Sequence, residues 1–107
     1  MASPKTEAFT LKANEIASFA KAIAHPARIE ILKELAKRNT CVCGEIVDVL
    51  PLAQSTVSQH LKELLKAGLI SGSIDGVKSC YCINPKKIKQ FKVLLNSFLT
   101  NINPNCC

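Results

Sequence analysis

Hydrophobic positions recur at helical spacing along most of the chain, and the clearest case lies between residues 54 and 67. There Val57, Leu61, Leu64 and Leu65 follow the i, i+4, i+7, i+8 spacing, which predicts a helix with one buried face. Gly68 follows as the expected stop signal. The opposite face, with Ser58 and His60 at its edges, carries Ser55, Thr56, Gln59, Lys62 and Lys66.

A shorter apolar segment precedes this helix. Ile46, Val49 and Leu50 recur on one side of it, and Pro51 ends it because proline cannot continue a helix. Two helices joined by a tight turn, the second rich in short hydrogen-bonding side chains, are typical of a helix-turn-helix. We therefore assign residues 41–68 to a helix-turn-helix.

Two further helices are predicted before this motif, separated at His25-Pro26. The first spans about 9–24 and is apolar on more than one side, with Phe9 and Phe19 outside its main stripe. The main stripe of the first helix is predicted to be Ala13, Ile16, Ala17, Ala20, Ile23 and Ala24, and the inward face of the second to be Ile29, Leu32, Leu35 and Ala36.

After Gly68 the hydrophobic period changes from 3.6 to 2. The two alternating segments flank Asp75-Gly76, a strong signal for a two-residue hairpin turn. A hairpin directly after a recognition helix is a wing, which we place at 69–83. On its second strand, Cys80 and Cys82 share one face, so packing within the domain is the default expectation for both.

A last helix is predicted from Asn84-Pro85 to about residue 102, followed by a mobile tail at 103–107. The helices at about 9–24 and 84–102 both have more apolar surface than one core needs, so we expect them to form a homodimer interface. The inner stripe of the last helix is predicted to be Ile88, Phe91, Leu95, Phe98, Leu99 and Ile102, with Val93 and Leu94 on a second apolar side.

Composition fits one domain over residues 1–107. A chain of 107 residues, 48% of them hydrophobic, has enough apolar material for a single core and is not of the disordered class. No apolar run approaches the ~20 residues of a membrane span, and the N-terminal sequence lacks a signal-peptide layout, so we expect a cytoplasmic protein without a membrane partner. The expected fold class is mainly α with a small β-hairpin: a winged helix-turn-helix of about five helices plus the wing, acting as a homodimer.

The net charge of +6 favours a polyanionic partner, and the helix-turn-helix makes that partner double-stranded DNA. Short polar side chains can approach base edges in the major groove, and Gln59 can contact adenine in a bidentate manner. Lys62, Lys66 and, near the wing tip, Lys78 suit phosphates. For His60, packing inside the domain is an equally good reading. The predicted DNA-binding set is Gln54, Ser55, Thr56, Ser58, Gln59, His60, Lys62, Lys66 and Lys78.

Several motifs, in order, resemble the ArsR/SmtB family of metal-responsive repressors: residues 24–32 (AHPARIEIL), 54–61 (QSTVSQHL), 67–70 (AGLI) and the Asp75-Gly76 wing. The resemblance runs from about Ile16 to Leu99. It implies a homodimeric winged-helix repressor, needing no cofactor for DNA binding, whose inducer ion releases it from its operator. This chain departs from the family pattern at Ala53, where the family usually has a serine that caps the recognition helix, and in its mildly charged wing.

Cys41-Val42-Cys43 resembles the Cys-Val-Cys sequence of the family's arsenic-sensing members, although Gly44-Glu45 departs from what usually follows it. Soft thiolates suit As(III) and Sb(III), and we expect both cysteines in the first turn of the first helix of the motif, where the helix N-terminus stabilises thiolates. Residues i and i+2 point roughly 200° apart on a helix, so a common ion requires that turn to unwind. The alternative is that the two side chains simply pack in the core.

The third ligand of such a site stays open. Cys106 and Cys107 on the tail are candidates, and an incidental role for both is the alternative. Six cysteines without an export signal are expected to be mostly reduced thiols. From Asn84 onward there is no His, Asp or Glu, which excludes the family's alternative zinc site between the last helices.

The sequence leaves three alternatives to a metalloid-released repressor. The same fold could sense Cd(II), Pb(II) or oxidants through the same cysteines. A small thiol enzyme is disfavoured because no phosphate-binding loop is present. A winged-helix module that binds proteins and not DNA is the third alternative. We therefore predict a repressor and not an enzyme.

Overall fold

Four helices and a three-stranded sheet make up the part of the chain that the computed structural model describes, which is residues 9–38, 42–43, 50–73 and 80–102. This confirms the predicted fold class, mainly helical with a small antiparallel hairpin. No helix in these ranges is long and apolar enough to cross a membrane. The elements are α1 (Leu11–Ala22), α2 (Pro26–Arg38), β1 (Val42–Cys43), α3 (Gln54–Ala67), β2 (Ile70–Ser73), β3 (Cys80–Ile83) and α4 (Pro85–Asn101).

Three helices are capped at their start by a side chain that lies just before the helix. Thr10 Oγ1 accepts the N–H of Ala13 at 3.1 Å at the start of α1, and His25 Nδ1 accepts the N–H of Ala27 at 3.0 Å at the start of α2. Asn84 Oδ1 accepts the N–H of Lys87 in α4. These contacts satisfy backbone donors that have no partner within a helix. α3 ends at Gly68, whose φ of 81° is left-handed, as the sequence predicted.

The core lies where α2 and α3 pack on each other and on the sheet. In α2 the buried face is Ala27, Ile31 and Leu35, a regular i, i+4, i+8 row, whereas Ile29 is 39% exposed and Ala36 is exposed. The predicted inward face of α2 was therefore wrong at positions 29 and 36. The apolar stripe of α2 is wide enough to allow either rotation, and packing against α3 selects the one that buries Ile31. The side chains with less than 2% exposure are Ile31, Leu35, Val57, Leu64, Leu69 and Ile70.

The buried side of α1 also differs from the prediction. Phe19 and Ala22 are buried, and the predicted stripe is largely exposed, including Ala13, Ala17 and Ala20. Phe19 lies against Phe91 of α4 with ring centroids 5.2 Å apart. An aromatic ring buries far more area than an alanine, so the Phe19 side of α1 turns inward.

Only the first half of α4 reaches the core. Ile88, Phe91 and Leu94 pack against it, and α4 has no fully buried residue. The predicted inner stripe was wrong for its second half, because the described part of the same chain offers too little apolar surface there. The large hydrophobic side chains left exposed on or next to α4 are Val93, Phe98, Leu99 and Ile102.

The sheet has the strand order β1-β3-β2 with both pairs antiparallel. β2 and β3 form the predicted wing, with Ile70 opposite Ile83 and Ser73 opposite Cys80, while its predicted turn at Asp75-Gly76 lies outside the described residues. β1 was not predicted. It extends the wing into a third strand, which corrects the prediction that Cys43 lies in the first turn of a helix.

Candidate nucleic-acid interface and cysteine site

The polar face of α3 is available to a partner. Gln54, Ser55, Thr56, Gln59, Lys62 and Lys66 are all exposed, and Ser58 is half-buried. The opposite face is held by Val57, Leu61 and Leu64 at 3% exposure or less. This arrangement fixes the helix on the domain and leaves short hydrogen-bonding groups and two lysines outward, as a helix in a major groove requires. Lys66, at the far end, also lines a shallow cleft between α1 and α3 with Lys21 and Glu63.

His60 does not belong to this face. Its side chain is only 7% exposed, and its Nδ1 accepts a hydrogen bond from Arg28 Nε at 3.1 Å. Its ring lies 4.3 Å from that of His25, centroid to centroid. The prediction that His60 contacts DNA was therefore wrong, and the alternative of a packed histidine is correct. The reason is position, since residue 60 follows Val57 by one helical turn and so points into the core.

Burial lowers the pKa of His60 below its ordinary value of 6.5, and the nearby His25 and Arg28 lower it further. A neutral imidazole also matches the hydrogen bond, because Nδ1 must carry a lone pair to accept from the Arg28 guanidinium. His60 is thus a neutral acceptor inside the domain.

Arg28 joins three helices, a role the sequence reading did not assign. Beyond its bond to His60 in α3, its Nη1 donates to the backbone oxygens of Lys21 and Ala22, both at 3.2 Å. These carbonyls are at the end of α1, where helix carbonyls lack intrahelical partners and carry partial negative charge. One signal was present in the sequence: Arg28 follows Ala27 directly, on the edge of a buried row.

Three of the six cysteines lie within the residues that the structure describes. Cys41, Cys106 and Cys107 lie outside the described residues, as does Lys78 of the predicted DNA-binding set. Cys43 is in β1, and its Cα is the direct partner of the Cα of Cys80 in β3. Among the described residues, no group of three or more His, Cys, Asp or Glu side chains is placed to hold a metal ion.

Cys80 and Cys82 are both disulfide-bonded in this structure. In this structure the two wing cysteines are therefore not the reduced, simply packed thiols that the sequence predicted. Strand β1, which was not predicted, brings a second cysteine-containing segment alongside β3. Tyr81, between them, is buried on the other face of the strand, in agreement with the predicted alternation.

Comparison with known proteins agrees with this geometry. Residues 25–71 match the family described as bacterial regulatory protein, arsR family. The transcriptional repressor PagR of Bacillus anthracis is 36% identical over 80 residues, which is 75% of this chain and 80% of that protein. The arsenical resistance operon repressor of Bacillus subtilis (strain 168) is 41% identical over 69 residues, or 64% of this chain and 65% of that protein.

A similar solved structure is the crystal structure of a possible transcriptional regulator for arsenical resistance. It superposes with a TM-score of 0.64 at 28% identity, over 73% of this chain and 80% of that one. The aligned relatives are transcriptional regulators, and the matched segment contains α2, α3 and the first residues of the wing.

Proposed function

Because this chain belongs to the ArsR/SmtB family of transcriptional repressors, we propose that it represses a metalloid-resistance operon and leaves its operator when As(III) or Sb(III) binds its cysteines. It is a DNA-binding regulator and not an enzyme. The observation that carries the proposal is the exposed polar face of α3 beside a sheet in which a cysteine strand, β1, pairs with the wing.

In the proposed complex, α3 lies in the major groove of double-stranded DNA. The base-facing residues are those of its first half, with Gln59 suited to adenine, while Lys62, Lys66 and Lys78 neutralise phosphates. His60 is left out of this set because its only described partners are inside the domain. The DNA-binding residues we propose are Gln54, Ser55, Thr56, Ser58, Gln59, Lys62, Lys66 and Lys78.

The proposed inducer site contains Cys41 and Cys43, with a third thiolate from Cys106 or Cys107. The backbone at residues 42–43 is extended. The helical turn that would have had to unwind is not present at Cys43. Arsenical resistance operon repressors of Bacillus subtilis (strain 168) and Staphylococcus xylosus are among the relatives, which supports a metalloid as the inducer.

We further propose a homodimer that works in the cytoplasm, where a repressor meets its operator. The exposed apolar side chains at the start of α1 and along α4 support the dimer. Phe9 and Leu11 are 64% and 79% exposed, and Phe98 and Leu99 about half exposed. A symmetric dimer would present two α3 helices to two half-sites of a pseudo-palindromic operator.

A second inducer class is favoured by one observation. The disulfides at Cys80 and Cys82 show that wing sulfurs lie within bonding distance of other sulfurs, which suits oxidants as well as thiophilic Cd(II) or Pb(II). A four-thiolate shell would identify the divalent ions, and a disulfide would identify oxidation.

A gel shift against the DNA upstream of the protein's own gene tests the proposal. Reduced protein should retard the DNA, and arsenite should release it. Cys41→Ser and Cys43→Ser should each bind DNA as the wild type does. Neither should be released by arsenite, because each has lost one of the two thiolates that the inducer site requires. Absence of binding without arsenite would remove the DNA-binding proposal, and a normal arsenite response in both variants would move the inducer site elsewhere.

X-ray absorption on the As(III)-loaded protein tests the third ligand. Replacing Cys106 and Cys107 together by serine should reduce the sulfur shell from three to two. An unchanged three-sulfur shell would exclude the tail.

A further inference from the structure

Strand geometry indicates that the two wing cysteines are bonded to sulfurs other than each other. Residues two apart on one strand lie about 6.8 Å apart, with their Cβ atoms pointing the same way. A disulfide requires Cβ atoms about 3.5–4.5 Å apart. Cys80 and Cys82 occupy these positions on β3, and both are disulfide-bonded. Each must therefore reach a cysteine on a different segment.

The register of the sheet identifies the partner of Cys80. Directly opposite residues of an antiparallel pair have Cα atoms about 4.5–5.5 Å apart, within the range of about 4.4–6.8 Å found for disulfides. Diagonal neighbours are about 7–8 Å apart, which is beyond it. Cys43 is directly opposite Cys80 and diagonal to Cys82.

We propose that Cys43 and Cys80 form a redox-active dithiol site that hydrogen peroxide closes to a disulfide across β1 and β3. A protein that acts on DNA meets a reducing environment, where disulfides are typically transient and redox-sensing. The disulfide is accordingly a reversible modification and not a permanent structural cross-link.

The chemistry balances with peroxide as the oxidant. The Sγ thiolate of one cysteine attacks a peroxide oxygen, the O–O bond breaks, and a sulfenic acid and one water result after proton transfer. The second thiolate then attacks the sulfenic sulfur. The S–O bond of the sulfenic acid breaks, and its oxygen is protonated and leaves as a second water. Two thiols are oxidised and one peroxide is reduced to two waters. A dithiol reductant reverses the reaction by thiol–disulfide exchange.

The sheet is built to hold Cys80 in place. β3 is the central strand, so its backbone is paired on both edges, with β1 and with β2. Gly72 of β2 lies so close that a Cβ at that position would overlap the carbonyl oxygen of Cys80. Because β3 cannot shift toward β2, the Cys80 side chain keeps its position opposite Cys43.

The site also regulates the proposed inducer response, a consequence that rests on the proposed function. The sulfur of Cys43 cannot be in a disulfide and coordinate As(III) at the same time, since the ion binds thiolates. Peroxide-treated protein should therefore remain on its operator in the presence of arsenite until it is reduced. Release of the DNA by peroxide alone would overturn this protection and would favour the alternative in which oxidants are the inducer.

Peptide mapping tests the bridge directly, because trypsin separates the three cysteine pairs into the peptides 39–62, 79–86 and 93–107. Reduced full-length protein is treated with hydrogen peroxide, its free thiols are alkylated, and it is digested without reductant. We expect 39–62 linked to 79–86 in material that runs as a monomer on a non-reducing gel. A loop within 79–86, a link to 93–107, or no disulfide would overturn the proposal.

Two matched variants test the register. Cys41→Ser/Cys82→Ser/Cys106→Ser/Cys107→Ser keeps only Cys43 and Cys80, which are directly opposite. Cys41→Ser/Cys80→Ser/Cys106→Ser/Cys107→Ser keeps Cys43 and Cys82, which are diagonal. The first should close at least about tenfold faster in peroxide, because only its Cα separation permits a bridge. Equal rates, or no closure of the first in protein with native circular dichroism, would refute the assignment.

One further measurement separates this proposal from the proposed function. Cys80→Ser should bind operator DNA and release it with arsenite under reducing conditions, yet should keep its arsenite response after peroxide treatment. If the wild type never responds to arsenite, the proposed inducer fails while the peptide map still decides the bridge.

Discussion

Individual residues of α3 that look equivalent in the sequence serve opposite purposes. Gln59 and His60 are neighbours with similar hydrogen-bonding ability, but Gln59 is exposed while His60 lies between His25 and Arg28. The helical turn of 100° per residue separates them. His60 thus links α3 to α2, and through Arg28 to the end of α1. The link between α3 and α2 through Arg28 depends on a neutral imidazole as the acceptor.

This dependence predicts a loss of stability in mild acid. The pKa of His60 is lowered in the folded state, so the unfolded chain takes up the proton first. The contribution is complete above the unfolded-state pKa of 6.5 and is lost as pH falls from there through the lower folded-state value. Urea unfolding at several pH values should show this loss.

His60→Asn is the matched variant, because the Asn oxygen can accept from Arg28 Nε as Nδ1 does but does not titrate. Its stability should change less between pH 7 and pH 5 than that of the wild type. An unchanged pH profile would show that His60 does not couple protonation to folding.

At the scale of elements, α3 begins without the side-chain cap found at the start of the other helices for which a cap is described. Its N-cap is Ala53, which makes no side-chain hydrogen bond, whereas the caps of α1 and α4 are Thr10 and Asn84. The N–H groups in the first turn of α3 have only the Ala53 carbonyl oxygen, which Thr56 and Val57 share at 3.0 Å each. The start of α3 therefore lacks a stabilising contact that α1 and α4 have.

Ala53→Ser should stabilise the protein by about 1 kcal/mol, because a serine oxygen can accept one of these N–H groups. Thermal unfolding at fixed protein concentration should show a rise in Tm of several degrees. Ala53→Val, which adds bulk without an acceptor, is the control and should give no increase. A similar gain in both variants would mean that the effect is not capping.

Some elements of this fold are determined by local spacing in the sequence, and others are determined by contacts with distant segments. The bounds of α3, its buried row and its stop at Gly68 were predictable because they depend on local spacing and on a residue that tolerates positive φ. β1 was not predictable, since two residues carry no periodicity and their strand exists only through pairing with distant β3. The faces of α1 and α4 failed for a related reason: both helices have excess apolar surface, and the Phe19–Phe91 contact decides which side is inside.

At the scale of the whole molecule, the described residues leave apolar surface uncovered at one pair of helices, α1 and α4. α1 and α4 contact each other through the Phe19 and Phe91 rings and a 2.8 Å hydrogen bond from Gln90 Nε2 to Glu15 Oε2. Beyond that contact, Phe98 and Leu99 remain 47% and 54% exposed. Several large apolar side chains on one helix are typical of an interface. The same surface on a second copy would complete the burial.

Phe98→Glu should therefore weaken the dimer. Each protomer would lose about 2 kcal/mol of apolar burial, and a two-fold interface contains the residue twice, so the dimer Kd should rise on the order of a hundredfold or more. Sedimentation across a range of concentrations measures this. Thr100→Glu places the same charge at an exposed polar position of α4 and is the control. A monomeric wild type at micromolar concentration would remove the dimer from the proposal.

The pairing of β1 with β3 has a consequence in chain topology. β1 precedes α3 in the chain and β3 follows it. The pairing of β1 with β3 therefore closes the polypeptide between Cys43 and Cys80 into a ring that contains all of α3. Within a ring, a displacement at one anchor must be compensated along the enclosed chain. A chemical event at the β1–β3 junction can therefore act on α3 through its tether, without first loosening the core that holds α3 to α2.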